Sequence, residues 1–457
     1  MEEIRPDENT KPLTWKQYLV IASLLFGLFF GAGNLIFPVH LGQLAGAKWL
    51  AATAGFLVTA VLLPLLAVLA ISVSHAKGIY DIGRPLGRKF ALAFMVLIHL
   101  TLGPLFATPR TASISFSVGL QPVLPAKLAQ PCLLVFSAIF FILAFIISYQ
   151  ETTILDSVGR VLNPIFLLLL FVVFLLAAAK PMGAAHQQTV TAAYHNMAFF
   201  NGFLQGYNTM DALAGLAFGY TIVSAVKQLG KTSAKSNAKV TASAGVIATG
   251  AIGLIYIALI WLGATTLKHF KPSAEGGTAF NQIVTYYLGD FGHALLATLV
   301  TLTCLTTAVG LLAAFAQDFH RSFSKISYHT WLAIMTFASF VTANFGLDTI
   351  IAWSTPMLMF LYPIAIVLIV LSIAKTAFAG DPVVYFWAIG LTMIPALLDM
   401  LASFPPVISQ SPWAHFIKEL QVRLLPLAAI GLDWVIPAAV GIAAGLLVHF
   451  YRKRPKQ

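Results

Sequence analysis

Residues able to do chemistry fall in four places along the chain. Thr303, Thr306 and Thr307 lie within little more than one helical turn in ATLVTLTCLTTAVGLLAAFAQD, residues 297–318. Hydroxyls and carbonyls at that spacing offer oxygen ligands to a hard cation such as Na+ without burying a net negative charge. Thr hydroxyls also bond back to their own helix, so the spacing alone leaves both readings open. A second stretch, LLFGLFFGAGNLIFP at 24–38, crowds Gly27, Gly31 and Gly33 before Asn34 and Pro38. Glycine permits unusual backbone and proline removes a donor, so a helix here can unwind; a close-packed face of small residues is the alternative. A third, FFNGFLQGYNTMDALAGLAFG at 199–219, carries Asn201, Gln205, Gly206, Tyr207, Asn208, Thr209 and Asp211. The fourth is Arg110, in GPLFATPRTASISF at 103–116, between Pro104, Pro109 and a run of hydroxyls.

The elements that must hold these groups are set by composition. Of 457 residues, 59% are hydrophobic and 9% charged, against roughly 25% charged in a soluble domain. The mean hydropathy is +0.87. Too few charges exist to build a soluble shell, which excludes a soluble enzyme, a nucleic-acid-binding domain and a disordered chain. The composition implies an all-α integral membrane protein embedded in a lipid bilayer. The net charge of +11 contains no long basic run interleaved with aromatics, so no nucleic-acid partner is expected. Cys132 and Cys304 sit in apolar runs and suggest neither a disulfide framework nor a metal cluster. The first 17 residues are polar and mixed in charge, and no cleavable leader is expected. Nothing in the sequence specifies an oligomer.

A span needs about 20 mostly apolar residues. Twelve candidates lie near 18–44, 49–74, 90–119, 131–149, 160–179, 195–225, 240–266, 292–317, 329–344, 348–374, 383–404 and 430–451. With both termini in the cytoplasm, most of the 27 Lys and Arg fall in cytoplasmic segments. Residues 413–427, WAHFIKELQVRLLPL, read either as a helix on the outer surface or as a structured loop.

The glycine-rich stretch lies in span one and the polar stretch in span six. Paired interruptions at matching places in two halves point to a transporter-type binding site. Five spans per half is odd, so the second half must run inverted. The expected organisation is a cytoplasmic segment 1–17, a first repeat 18–180, an inverted second repeat 181–374, two added spans over 375–451 and a tail 452–457. Broken helices free N–H groups for a carboxylate and C=O groups for a cation. A zwitterionic amino acid suits such a site, and walls from Phe29, Phe30 and Tyr207 favour an apolar side chain. Arg110 at membrane depth needs a partner, for which Asp211, a cage of carbonyls or a substrate carboxylate are candidates; a structural or gating pair is favoured over direct substrate contact, and Asp211 is the other structural or gating charge. His40 reads as a packing residue. Polar groups concentrated at mid-depth argue against a channel, and the spans hold no nucleophile–base pair or metal-ligand cluster for an enzyme.

FFGAGNLIFP at 29–38, GPLFATPRTASISF at 103–116, NGFLQGYNTMDALAGLAFG at 201–219 and CLTTAVGL at 304–311 together resemble the bacterial branched-chain amino acid:cation symporters. That family belongs to the amino acid–polyamine–organocation superfamily. The resemblance covers nearly the whole chain and implies a leucine-transporter-like 5+5 inverted repeat with broken helices one and six. It implies uptake of leucine, isoleucine and valine with Na+, or H+ in some members, and no organic cofactor. It implies a bacterial cell membrane. By the family pattern, Phe30, Gly31, Ala32, Gly33 and Asn34 of span one would meet the substrate. Gly206, Tyr207, Asn208 and Thr209 would meet it from span six. The cation would take carbonyls of Gly27, Phe30 and Thr303 and hydroxyls of Thr306 and Thr307. Many members carry an acid after the SF of the third-span motif, where this chain has Ser117.

Overall fold

The computed structural model describes residues 13–31, 33–149 and 154–453, which among themselves form helices and no β-strand. Helix occupies every one of the twelve predicted intervals. Eight helical runs are long and apolar enough to cross a bilayer, nine when the bent pair Tyr194–Thr209 and Asp211–Gln228 is taken as one. One of the eight, Gly33–Ser74, turns sharply at Gly46–Lys48 and so comprises the second half of span one and all of span two. Trp15–Phe29 and Pro164–Ala179 are shorter apolar helices. Residues 413–427 lie mostly in the helix Pro412–Leu424, whose Phe416, Val422 and Leu424 are exposed as on a helix lying along a membrane.

Span one starts at a capping box, in which Thr14 and Gln17 satisfy each other's backbone N–H groups. Its first helix, Trp15–Phe29, stops because Phe30 takes an extended conformation (φ −84°, ψ 95°), and helix resumes at Gly33. Span six stops at Gln205, tightens into a 3₁₀ turn at Gly206–Thr209 and restarts at Asp211. Met210, between the turn and the new helix, has φ 59°. A side chain there costs of order 1–2 kcal/mol, and the two helix halves diverge by 43°.

The structure adds an interruption that the sequence analysis did not include. Span three loosens into a π turn at Thr101–Leu105, with Gly103 far from helical geometry (φ −90°, ψ −118°), before restarting as Ala107–Gly119. Pro104 explains it, because its missing N–H breaks the hydrogen-bond ladder. Span eight is longer than expected. It is preceded by a helix from Gly276 that kinks at Gly289 (φ 62°) and then continues to Ser322.

Several helix pairs touch backbone to backbone, two of them through reciprocal glycines. A Cβ on Gly42 of span one would lie 2.0 Å from the Ile260 carbonyl of span seven, and one on Gly263 would lie 2.0 Å from the Val39 carbonyl. Gly55 of span two and Gly202 of span six make the same reciprocal contact, at 1.8 Å from the Phe199 carbonyl and 2.0 Å from the Ala52 carbonyl. This is the small-residue packing that replaces hydrophobic collapse between helices in lipid. Large side chains point outward instead on spans four and five, including Ile139, Ile142, Leu168 and Phe171. In a bilayer that face needs no partner.

Candidate functional site

The breaks of spans one, three and six open onto one cavity of about 110 Å³, several times the roughly 10–15 Å³ one water occupies. Span one contributes Gly27, Phe29, Phe30, Gly31, Gly33, Asn34 and Phe37 to its wall; span three contributes Leu102, Arg110, Thr111 and Ile114. Span six supplies Asn208, Thr209, Met210 and Asp211, and span eight supplies Thr307 and Leu311.

Asn34 ties the break of span one to itself and to two other spans. Its Oδ1 accepts from the Gly31 N–H at 3.0 Å, and its backbone N–H bonds the Gly31 carbonyl at 3.1 Å. Its Nδ2 donates to Asp211 Oδ2 at 2.7 Å and to the hydroxyl of Tyr256 on span seven. The Tyr256 hydroxyl also donates to Asp211 Oδ2, at 3.3 Å. Asp211 is the first residue of the helix after the break and is buried. Tyr256 is buried too, and its ring packs edge-on against Phe56 at 5.3 Å.

Arg110 is held by different groups. One Nη donates to the Asn208 carbonyl at 3.0 Å, the other to the Ser354 hydroxyl on span ten, and the guanidinium lies 5.3 Å over the Phe37 ring. The Asn208 carbonyl is free to accept because the helix breaks there. Of the three partners the sequence left open, the structure realises a carbonyl, joined by a hydroxyl. Among the described residues neither Arg110 nor Asp211 forms an ion pair, with each other or with any other group. Asp211, one of the three candidate partners, is therefore not paired with Arg110.

The threonines of span eight converge on one carbonyl. Thr306 and Thr307 donate their hydroxyls to the Thr303 oxygen at 2.8 and 2.9 Å. These are the back-bonds of an ordinary helix, and they also gather three oxygens into one small volume. Thr307 faces the break: a Cβ on Gly31 would sit 3.9 Å from its hydroxyl.

Other predicted residues lie elsewhere. Gly206, Tyr207, Thr303 and Thr306 do not line the cavity. A Cβ on Gly206 would meet the Thr59 hydroxyl at 2.0 Å, and that hydroxyl donates to the Phe203 carbonyl at 2.7 Å, so Gly206 makes room for span two. Tyr207 is buried with its ring stacked on Tyr362, centroids 4.0 Å apart, and is not a cavity wall. Ala32 lies outside the described residues. Tyr256 and Ser354 were not anticipated. Tyr256 is a lone polar residue in an apolar run and Ser354 has only Thr355 as a polar neighbour, and each has a partner more than 200 residues away. Ser117 donates to Glu275 Oε1 at 2.7 Å, so an acid reaches the third-span position from the start of the helix before span eight. Cys132 and Cys304 are free thiols.

The profile described as branched-chain amino acid transport protein matches residues 14–452. The branched-chain amino acid permease BraB of Bacillus subtilis is 38% identical over 448 residues, covering 97% of each chain. The permease BrnQ of Lactobacillus delbrueckii is 37% identical, over 94% of this chain and 96% of the relative. BrnQ of Escherichia coli is 35% identical, over 96% and 97%. Two solved structures share the fold. Mhp1, a nucleobase-cation-symport-1 family transporter, superposes with a TM-score of 0.57 at 12% identity, over 97% of this chain and 94% of that one. MhsT in complex with L-phenylalanine gives 0.52 at 18% identity, over 94% and 100%. The architecture is that of the leucine-transporter fold.

Proposed function

The chain belongs to the branched-chain amino acid transport protein family, and from that membership we propose that it imports leucine, isoleucine and valine by symport with Na+. It is a multi-pass membrane transporter and not an enzyme. Residues 18–180 and 181–374 form the two inverted repeats in this reading. Both termini lie in the cytoplasm of a bacterial cell, and the membrane is the inner one.

The observation that carries the Na+ reading is the meeting of span one and span eight. Thr307 lies against the unwound Gly31, and the Thr303 carbonyl sits within hydrogen-bond reach of two hydroxyls. The donor set suits Na+, a hard cation satisfied by neutral oxygens. Carbonyls of Gly27 and Phe30 complete the set from across the break. The substrate lies beside the ion, with its charged end toward Phe30–Asn34 and Asn208–Thr209. Its apolar side chain lies against Phe29, Phe30 and Leu102. Each ligand favours the state in which the other binds, and that thermodynamic linkage is what makes the ion gradient drive uptake.

Radiolabelled leucine uptake into proteoliposomes tests this, with Na+ and pH gradients imposed separately and unlabelled valine, lysine and glutamate as competitors. Na+-driven uptake blocked by valine alone is the expected result. Uptake driven only by a pH gradient would move the coupling role from the threonines to Asp211. The absence of concentrative uptake under either gradient would replace symport by exchange.

A further inference from the structure

Arg110 and Asp211 line the same cavity, are both buried, and have no ion partner among the described residues. Removing a charge from water without a counter-charge is expensive at membrane depth. Two such charges of opposite sign on one cavity call for a ligand that carries both. Two polar atoms of the lining residues repeat the demand. Arg110 Nε is a buried donor without a hydrogen-bond partner, and Asn208 Oδ1 is a buried acceptor without one. The residues lining the cavity therefore include a guanidinium with an unsatisfied N–H, a carboxyl group without an ion partner and an unsatisfied amide oxygen.

We propose that Arg110 takes the substrate's α-carboxylate and that Asp211, with Asn208 Oδ1, takes its α-ammonium. This assignment rests on the amino acid reading above and goes beyond it, because it puts the zwitterion on side chains as well as on freed backbone. Arg110 is pre-set for the task. The Asn208 carbonyl and the Ser354 hydroxyl each use one of its N–H groups, and the Phe37 ring fixes its plane. Three of the five guanidinium N–H groups remain, Nε–H among them. Asp211 is held from behind, since Asn34 and Tyr256 both donate to Oδ2. Oδ1 stays outside that pair of bonds. The two halves of the clamp sit on different parts of the fold, Arg110 on span three and Asp211 on span six, so a bound amino acid bridges them.

The clamp has a consequence for coupling. An ammonium on Asp211 requires the ionised carboxylate, so a proton on Asp211 competes with the substrate and does not travel with it.

The test is equilibrium binding to purified, detergent-solubilised protein, with three ligands: leucine, leucinol (no carboxylate) and 4-methylpentanoate (no ammonium). Wild type, Asp211→Asn and Arg110→Lys are compared, each checked for a monodisperse peak and a cooperative melt. Wild type is expected to bind leucine and to bind either analogue roughly thirtyfold or more weakly, the loss typical when one partner of a buried charge pair is removed. In Asp211→Asn the preference for leucine over 4-methylpentanoate should collapse, while the preference over leucinol persists. Arg110→Lys should shrink the preference over leucinol only, because lysine keeps the charge but not the fork. Unchanged leucine-to-analogue ratios in both variants overturn the clamp and leave the amino acid reading standing. Should a variant fail to fold, the wild-type ratios decide: analogues that bind as well as leucine overturn the clamp. Failure of wild type to bind leucine overturns the amino acid reading itself.

Discussion

Replacing Tyr256 by Phe isolates one hydroxyl that never touches the cavity. The ring keeps its edge contact with Phe56, so packing volume is nearly conserved. The hydroxyl makes two bonds, accepting from Asn34 Nδ2 and donating to Asp211 Oδ2 at 3.3 Å. The second is long for an O–H···O bond, which usually spans 2.5–3.0 Å, so most of the loss falls on Asn34. Asn34 keeps its bond to Asp211 at 2.7 Å but leaves one buried N–H without an acceptor. A buried donor so stranded costs about 1–3 kcal/mol. Asn34 and Asp211 can recover part of that only by moving, and both line the cavity. About 1–2 kcal/mol should therefore appear in substrate affinity, a five- to thirtyfold rise in KM for leucine. The assay is initial-rate uptake in proteoliposomes across leucine concentrations, with reconstituted protein quantified. A KM within twofold of wild type, in protein that melts normally, would refute the view that span seven positions the charged end of the site.

Further outcomes follow from other contacts. Thr306→Val with Thr307→Val removes both hydroxyls gathered at the Thr303 carbonyl, and should raise the Na+ concentration for half-maximal uptake by roughly tenfold or more, given that even outer-shell partners of a metal site change affinity about 10–100-fold. Gly263→Leu forces a side chain into the Val39 carbonyl and should cost about 3 kcal/mol or more, read as a lowered Tm, whereas Gly250→Ala on the same helix, where an added Cβ meets nothing within 4 Å, should be neutral or slightly stabilising. Asp381 starts span eleven, and a hydrogen bond from His449, then one from the Val383 N–H, hold its carboxyl below the usual carboxylate range. The folded form thus favours the ionised group, so its contribution is present above about pH 4 and is lost as pH falls through the depressed value. Wild type should lose Tm on acidification below that point more steeply than Asp381→Asn.

The spans and two of the three interruptions were legible because their causes are local. Gly31, Gly33 and Asn34 stand together, as do Gly206, Asn208 and Asp211, and each group changes the backbone where it stands. Pro104 carries the same kind of signal for span three, but its place beside the charged Arg110 draws attention to the charge instead. What stayed hidden is whatever depends on two distant segments meeting. Ser354 is 244 residues from Arg110, and Tyr256 is 222 from Asn34, and neither distance leaves a mark on local composition. Tyr207 shows the opposite failure. Its polar neighbours suggested the cavity, yet its ring found Tyr362, because an aromatic next to a helix break still gains most by burying its face.

The reciprocal glycine contacts decide how many moving parts the molecule has. Where backbones touch, no layer of side chains remains to shear, so span seven cannot slide along the second half of span one, nor span two along the first half of span six. Each pair displaces as a single stiff plate. Asn34 and Tyr256 ride on one plate, which keeps their bond constant through any excursion. Arg110 and Thr307 belong to spans three and eight, outside both plates, and they face Asn208 and Gly31 across a slit. Geometry is free to change at that slit. In the proposed reading the amino acid and the ion both occupy it, so each would act as a shim that sets the gap for the other, coupled without touching.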